Sequence, residues 1–263
     1  MIDYHIHTPL CNHAQGSMEA YIAQAIEYGF SEICFFDHLT LQKSGRRLSM
    51  TPDEVSLYFM TVQGLKKEYQ GQISIKVGLE VDFHPRKVDE IKDILEPFAF
   101  DVIGSSVHFA GAYNIVSHKS DWCHGKLETE KIYRLYFEYL ALMLEHDYFD
   151  VVCHLDLIKK FGLRPKWSIS KEMDNILQII HDKGLTLEIN TSGFGHPAGE
   201  IYPSAAIIQR SRELMIPVTL GSDAHKPQNI GRYFDKTLSI LTAAGYQSLT
   251  VFDHRRPSQL AFK

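Results

Sequence analysis

Long apolar runs are missing from this chain. No stretch approaches the roughly 20 apolar residues of a membrane span, which excludes an integral membrane protein of helical type. A basic start followed by an apolar segment is also absent, because Asp3 and His5 come almost at once, so no export signal is read. Cysteine is scarce: Cys11, Cys34, Cys123 and Cys153 are scattered and form no C-x-x-C pair. That excludes a disulfide framework or a cysteine-built zinc ribbon and fits thiols in a reducing, cytoplasmic compartment. Positive charge is not in excess. With 27 Lys and Arg against 32 Asp and Glu, the net charge of −5 argues against a nucleic-acid partner, while leaving room for a local basic pocket. Linkers, repeats and low-complexity segments are lacking too, so residues 1–263 read as one domain.

What the chain has is alternation. Strand-like apolar stretches at residues 1–7, 31–37, 73–81, 100–107, 149–154, 185–190 and 216–222 are separated by helical patterns at 18–28, 52–70, 88–95, 128–146, 171–183 and 204–214. Ser17 reads as a helix cap, and Gly29 and Gly184 as helix stops. Strand–helix alternation over the whole length predicts an α/β fold, with a parallel sheet inside and helices outside. A closed or nearly closed barrel suits seven such units, because every strand tip then faces one mouth. A weak further strand at 248–252 leaves seven and eight strands both open.

The strand ends carry the chemistry. Six of the seven end in or run into His, Asp or Glu, and the remaining one ends in Asn190. His5 and His7 share one strand face, about 6–7 Å apart, and His13 follows in the loop. Asp37-His38 closes the second strand, and Glu80 sits among Val and Leu, where an unpaired charge is costly. His108 and His154 follow the fourth and fifth strands, and Asp223 and His225 the seventh. Taken alone, His108 and His154 are most simply satisfied core histidines, His5-x-His7 is a weak signal and Asp37-His38 an even choice, whereas Asp223 and His225 read as functional even singly. Independent core histidines have no reason to gather at the same end of every strand. A catalytic zinc takes three protein ligands, so seven imidazoles and two carboxylates suggest two or three divalent metals around a shared carboxylate. His84, His118, His124, His146, His181, His196 and His254 fall in loops or helices and read as solvated or structural. The pattern is that of a metal-dependent hydrolase.

These residues carry a resemblance. The segments His5-Ile-His7-Thr8, His13-Ala14, Asp37-His38, Gly78-Leu-Glu80-Val-Asp82, Gly104 to His108, His154-Leu-Asp156, Glu188-Ile-Asn190-Thr-Ser-Gly193 and Gly221-Ser-Asp-Ala-His225 resemble the PHP (polymerase and histidinol phosphatase) superfamily nearly end to end. The Thr-Pro-Leu-Cys-Asn-His spacing, the segment from Phe149 to Lys160 and Tyr202-Pro-Ser204 are similar to its histidinol-phosphate phosphatases. The resemblance implies a distorted (β/α)7 barrel and three divalent metals, zinc, iron or manganese. It implies that His5, His7, Glu80 and Asp223 hold one metal, that Glu80, His108 and His154 hold a second, and that His13, His38 and His225 hold a third.

The expected reaction is hydrolysis of L-histidinol phosphate to L-histidinol and phosphate. Paired metals would lower the pKa of a bridging water and clamp the phosphoryl oxygens, with Glu80 and Asp223 as the carboxylates at the reacting centre. Arg164 and, second, Arg232 are expected on the phosphate, since a guanidinium grips it bidentately. Arg46 and Arg47 lie in a loop that could close over the site. Asp37 is the expected proton source for the leaving alkoxide through a bound water, and Asp156 the expected partner of the substrate amine. A homo-oligomer is compatible with the composition. The rival expectations are a PHP phosphoesterase for another small phosphate ester and a non-catalytic metal-binding domain. Amidohydrolase chemistry ranks lower, because no strand ends in the lysine that such barrels use as a bridge.

Overall fold

The computed structural model describes residues 1–262. Strands β1 (Ile2–Ile6), β2 (Glu32–Leu39), β3 (Ser74–Asp82) and β4 (Val102–Ser106) precede a short hairpin of β5 (Phe109–Ala110) and β6 (Tyr113–Asn114). Then come β7 (Val151–Val152), β8 (Thr186–Asn190) and β9 (Val218–Gly221). Apart from β5 and β6, these strands form one sheet in the order β1-β2-β3-β4-β7-β8-β9, parallel throughout. The last strand comes back to the first: His7 N–H donates to the Ala224 carbonyl at 3.0 Å and Ala224 N–H to the His5 carbonyl at 3.2 Å. The result is the expected seven-stranded, nearly closed barrel.

Helices α1 (Met18–Glu27), α2 (Val55–Glu68), α3 (Val88–Leu95), α4 (Thr129–Leu144), α5 (Ser170–Asp182), α6 (Ala205–Glu213) and α7 (Phe234–Ala244) surround it. Ser17 caps α1 as expected, accepting from the Ala20 N–H. No helix among the described residues is long and apolar enough to cross a membrane. On the strand faces turned to the helices, Ile33, Phe35, Val77, Leu79, Val152, Leu187 and Leu220 are fully buried. Phe36 lies under the mouth, its ring edge-on to His5 with centroids 5.1 Å apart. Gly104 makes room for it, since a Cβ there would overlap both the Phe36 ring and Cys153 Sγ.

Three features depart from expectation. Residues 248–252 do not add an eighth barrel strand; β10 (Ser248–Asp253) pairs antiparallel with β11 (Arg256–Ala261) in a separate sheet. That hairpin turns through His254 and Arg255 at φ 48° and 63°, without glycine. Its Arg255 guanidinium grips Asp150 just before β7, and Arg255 N–H donates to the Asp101 carbonyl just before β4. The β7 strand keeps only Val151 and Val152 of residues 149–154, because the chain turns sharply at His154, φ 23°. Helix α7 was not expected, although Phe234, Leu238 and Leu241 followed by Gly245 carry its signature.

Candidate metal centre

Parallel register brings the strand ends level. Glu80 on β3 sits opposite His38 on β2 and Gly104 on β4, with its carboxylate among five imidazoles. Its Oε2 lies 2.8 Å from His38 Nδ1, 3.3 Å from His5 Nε2 and 3.8 Å from His7 Nε2. Its Oε1 lies 2.7 Å from His154 Nε2 and 3.4 Å from His108 Nε2. Beyond this hub, Asp223 Oδ1 is 3.1 Å from His7 Nε2 and 3.4 Å from His225 Nδ1. The His225 and His13 Nε2 atoms are 2.8 Å apart. The structure therefore brings together all nine residues the sequence singles out as metal ligands. Two of them sit in left-handed backbone, His154 at φ 23° and Asp223 at φ 54°. Non-glycine residues rarely adopt it, and such strain concentrates at functional sites.

The outward ring nitrogens are held by acceptors, which fixes what the inward ones offer. His5 Nδ1 meets Glu188 in a short contact, His7 Nδ1 lies 3.2 Å from Asp37 Oδ1, and His108 Nδ1 meets Asp82. His13 Nδ1 and His225 Nδ1 face the Cys11 and Asp223 carbonyls at 2.8 and 3.1 Å. A carboxylate or carbonyl can only accept, so each of these Nδ1 atoms carries a proton, and the Nε2 atoms are the ones left to offer lone pairs to a divalent cation. This carboxylate–histidine arrangement orients imidazoles toward metals. Glu188 and Asp82 have no role in the sequence reading. Their positions were visible nonetheless, since Asp82 follows Glu80 by two residues on one strand face.

Lone pairs facing lone pairs need a cation between them. His7 Nε2 is buried without a hydrogen-bond partner among the described residues. The bare His13 and His225 nitrogens approach each other at hydrogen-bond distance with no proton assigned to either by their tautomers. The donor set, imidazole nitrogens around ionised carboxylates, matches what zinc, iron and manganese accept. Burial alone would raise Glu80, but His38, His108, His5 and His154 hold it well below the usual carboxylate range. Asp223 is likewise driven well below that range by His7, His5 and His225, against its burial. Burial and the neighbouring His38 push His13 down to about 4, so it is neutral and able to ligate at pH 7. The residues fit divalent cations.

Other expected site residues stand elsewhere. Asp37 is saturated: one oxygen takes the Thr8 N–H and hydroxyl, the other the His38 N–H at 2.8 Å and His7 Nδ1. Despite burial, the bond from His7 keeps its pKa lowered, so it is ionised and a poor proton donor. Arg164 is paired with Glu200 and donates to the Lys159 and Leu163 carbonyls. With Asp156, Lys159 and Glu200 it lines a cavity of about 360 Å³ that none of the nine clustered residues borders. Asp156 is engaged there by Lys159 at 2.7 Å and by Ser204 N–H. Arg232 braces the strand exit, donating to the Ser222 and Asp223 carbonyls. Arg46 and Arg47 are exposed in the β2–α2 loop.

The sequence reading gave Lys160 no role and read His196 as solvated or structural. Lys160 has no carboxylate within ion-pair range among the described residues, and its Nζ lies 5.8 Å from the Phe161 ring centre. Burial lowers its pKa, opposed by the Asp223 carboxylate. Burial, then Lys160, brings His196 down to about 4. Lysine at the second position of Lys159-Lys160, six residues past His154, was the available signal.

A parallel barrel with clustered imidazoles and carboxylates at its C-terminal mouth defines a metal-binding α/β-barrel protein. The family model described as the PHP domain matches residues 3–192, and the chain belongs to that family. It is 31% identical to a probable histidinol-phosphatase of Deinococcus radiodurans, over 97% of this chain and 98% of that one. It is 30% identical to the histidinol-phosphatase of Bacillus subtilis, over 90% and 97%. The crystal structure of the Lactococcus lactis histidinol phosphate phosphatase, complexed with zinc, L-histidinol and phosphate, superposes with a TM-score of 0.86 at 23% identity. It covers 98% of each chain.

Proposed function

We propose that the chain is a phosphoesterase that hydrolyses L-histidinol phosphate to L-histidinol and inorganic phosphate. The observation that carries the metal chemistry is the convergence of imidazole Nε2 atoms and the Glu80 carboxylate in one buried mouth. The substrate follows from full-length similarity to relatives that bear this activity in their names. The Lactococcus lactis protein, of the same fold and complexed with L-histidinol and phosphate, supports the choice.

In this reading Glu80, His5, His7 and Asp223 would hold one divalent cation, and Glu80, His108 and His154 a second. His13 and His225 hold a third, to which the family resemblance adds His38. Bound there, divalent cations supply an acidified water as nucleophile and a clamp on the phosphoryl oxygens. The chain's own groups do the rest. Glu188, Asp82 and Asp37 lock the imidazoles in the ligating tautomer, and Asp37 serves in this way rather than as a proton donor. Lys160, free of a carboxylate partner and near Asp223, takes the phosphate in place of Arg164, with neutral His196 beside it. Arg232 holds the Asp223 turn in position.

Lys160→Met keeps the aliphatic stem and removes the charge. It is expected to lower kcat/KM about 10- to 100-fold, mainly through KM, as loss of a charge-assisted bond would. Metal content should stay unchanged, and wild-type kcat/KM would remove Lys160 from the site.

Phosphate release across a substrate panel tests the function itself. Histidinol phosphate should exceed aryl and nucleoside phosphates in kcat/KM by about 10²-fold or more, as expected for a site that recognises polar groups. Equal values would replace the substrate and keep the phosphoesterase. No release from any ester by the metal-loaded protein would leave a binding domain.

A further inference from the structure

Between α4, α5 and the start of α6 lies the cavity of about 360 Å³ that none of the nine clustered residues borders. Small-molecule sites occupy roughly 300–1,000 Å³, so one small ligand fits. Part of its wall is apolar, from Phe137, Ile169 and Met173. The Tyr133 and Tyr136 rings extend that surface, because their hydroxyls already donate to the Leu163 and Leu155 carbonyls. The rest is two ion pairs. Lys159 lies 2.7 Å from Asp156 and 3.5 Å from Glu200, and Arg164 is paired with Glu200. With cations and carboxylates matched two to two, nothing here calls for a ligand of net charge.

Two needs of opposite sense remain. Asp156 Oδ2 takes Lys159 and the Ser204 N–H, while Oδ1 is buried with no hydrogen-bond partner among the described residues. An acceptor so placed is costly unless a donor meets it. Ala205, Ala206 and Ile207 open α6 beside it, the Ser204 side chain caps none of their N–H groups, and no acceptor meets them among the described residues. A helix N-terminus of this kind favours an anion. The Ser204 bond ties Asp156 to that helix end, so both needs fall within reach of one small molecule. We infer that the cavity binds a free α-amino acid with an apolar or aromatic side chain. Its ammonium meets Asp156 Oδ1, its carboxylate the first turn of α6 with Arg164 beside it, and its side chain the Phe137–Met173 wall. The inference stands apart from the metal centre and from the phosphatase reading.

Calorimetric titration of the full chain with each of the common L-amino acids tests this, in zinc-loaded protein and again after chelation. At least one apolar or aromatic member should bind with a Kd of about 1 mM or tighter, alike in both preparations. Its decarboxylated amine and its deaminated acid should each bind about 10-fold more weakly or worse, as loss of a charged hydrogen bond predicts. Ala206→Phe, which sets a ring into the cavity from an exposed helix position, should abolish binding while circular dichroism shows a folded chain. If that variant does not fold, Arg164→Gln takes its place and should weaken binding about 10-fold. Binding by no amino acid, binding that requires the metal, equal binding of the acid or the amine alone, or binding that survives the substitution overturns the inference.

Discussion

Glu80→Gln is expected to lower kcat/KM for the phosphate ester by at least about 10²–10³-fold, the range for loss of one preorganised electrostatic group, and to lower metal content. Volume and shape barely change, so the effect isolates charge and donor chemistry. Both Glu80 oxygens are in use, one facing His38 and His5, the other His154 and His108. The amide would turn an NH2 toward one of those pairs and could not fill the bridging role proposed for Glu80. Elemental analysis beside steady-state kinetics checks this. Wild-type turnover with full metal content would mean that the bridge has been assigned to the wrong residue.

Gly221→Ala should act almost as strongly without touching a ligand. A Cβ at Gly221 would lie 2.5 Å from His5 Cβ and 2.7 Å from Glu188 Oε1. The first contact pushes His5 away from Glu80, and the second disturbs the carboxylate that fixes the His5 tautomer. Strain of this kind in a packed interior costs about 1–3 kcal/mol. Displacing a metal ligand's orienting partner weakens metal affinity about 10- to 100-fold. A lower Tm, restored in part by excess metal, and a weaker metal Kd by chelator competition are the expected readings. Unchanged affinity would show that β9 can shift away from β1 without loss.

The barrel was legible because its strands are short, β-branched and separated by amphipathic helices. The site was legible because parallel strands leave their ends at one mouth. What escaped was set by contacts rather than by pattern. Arg164 sat in a suitable loop, yet its guanidinium is taken by Glu200 and two carbonyls, and a sequence does not show which arginine is already engaged. Lys160 was overlooked for the converse reason, as its lack of a carboxylate partner appears only in three dimensions. Asp37 was visible, but not that four donors saturate it. The β10–β11 hairpin turns without glycine, so the usual local cue was missing. Helix α7 carried its cues, and its period was simply not read.

Purified protein assayed for bound metal and for phosphate release from L-histidinol phosphate, before and after chelation and again after metal is restored, addresses the central claim most directly. The account predicts two or three divalent ions per chain, activity that falls away as they are stripped, and recovery on their return. Full phosphatase activity in protein shown to be free of metal would contradict it.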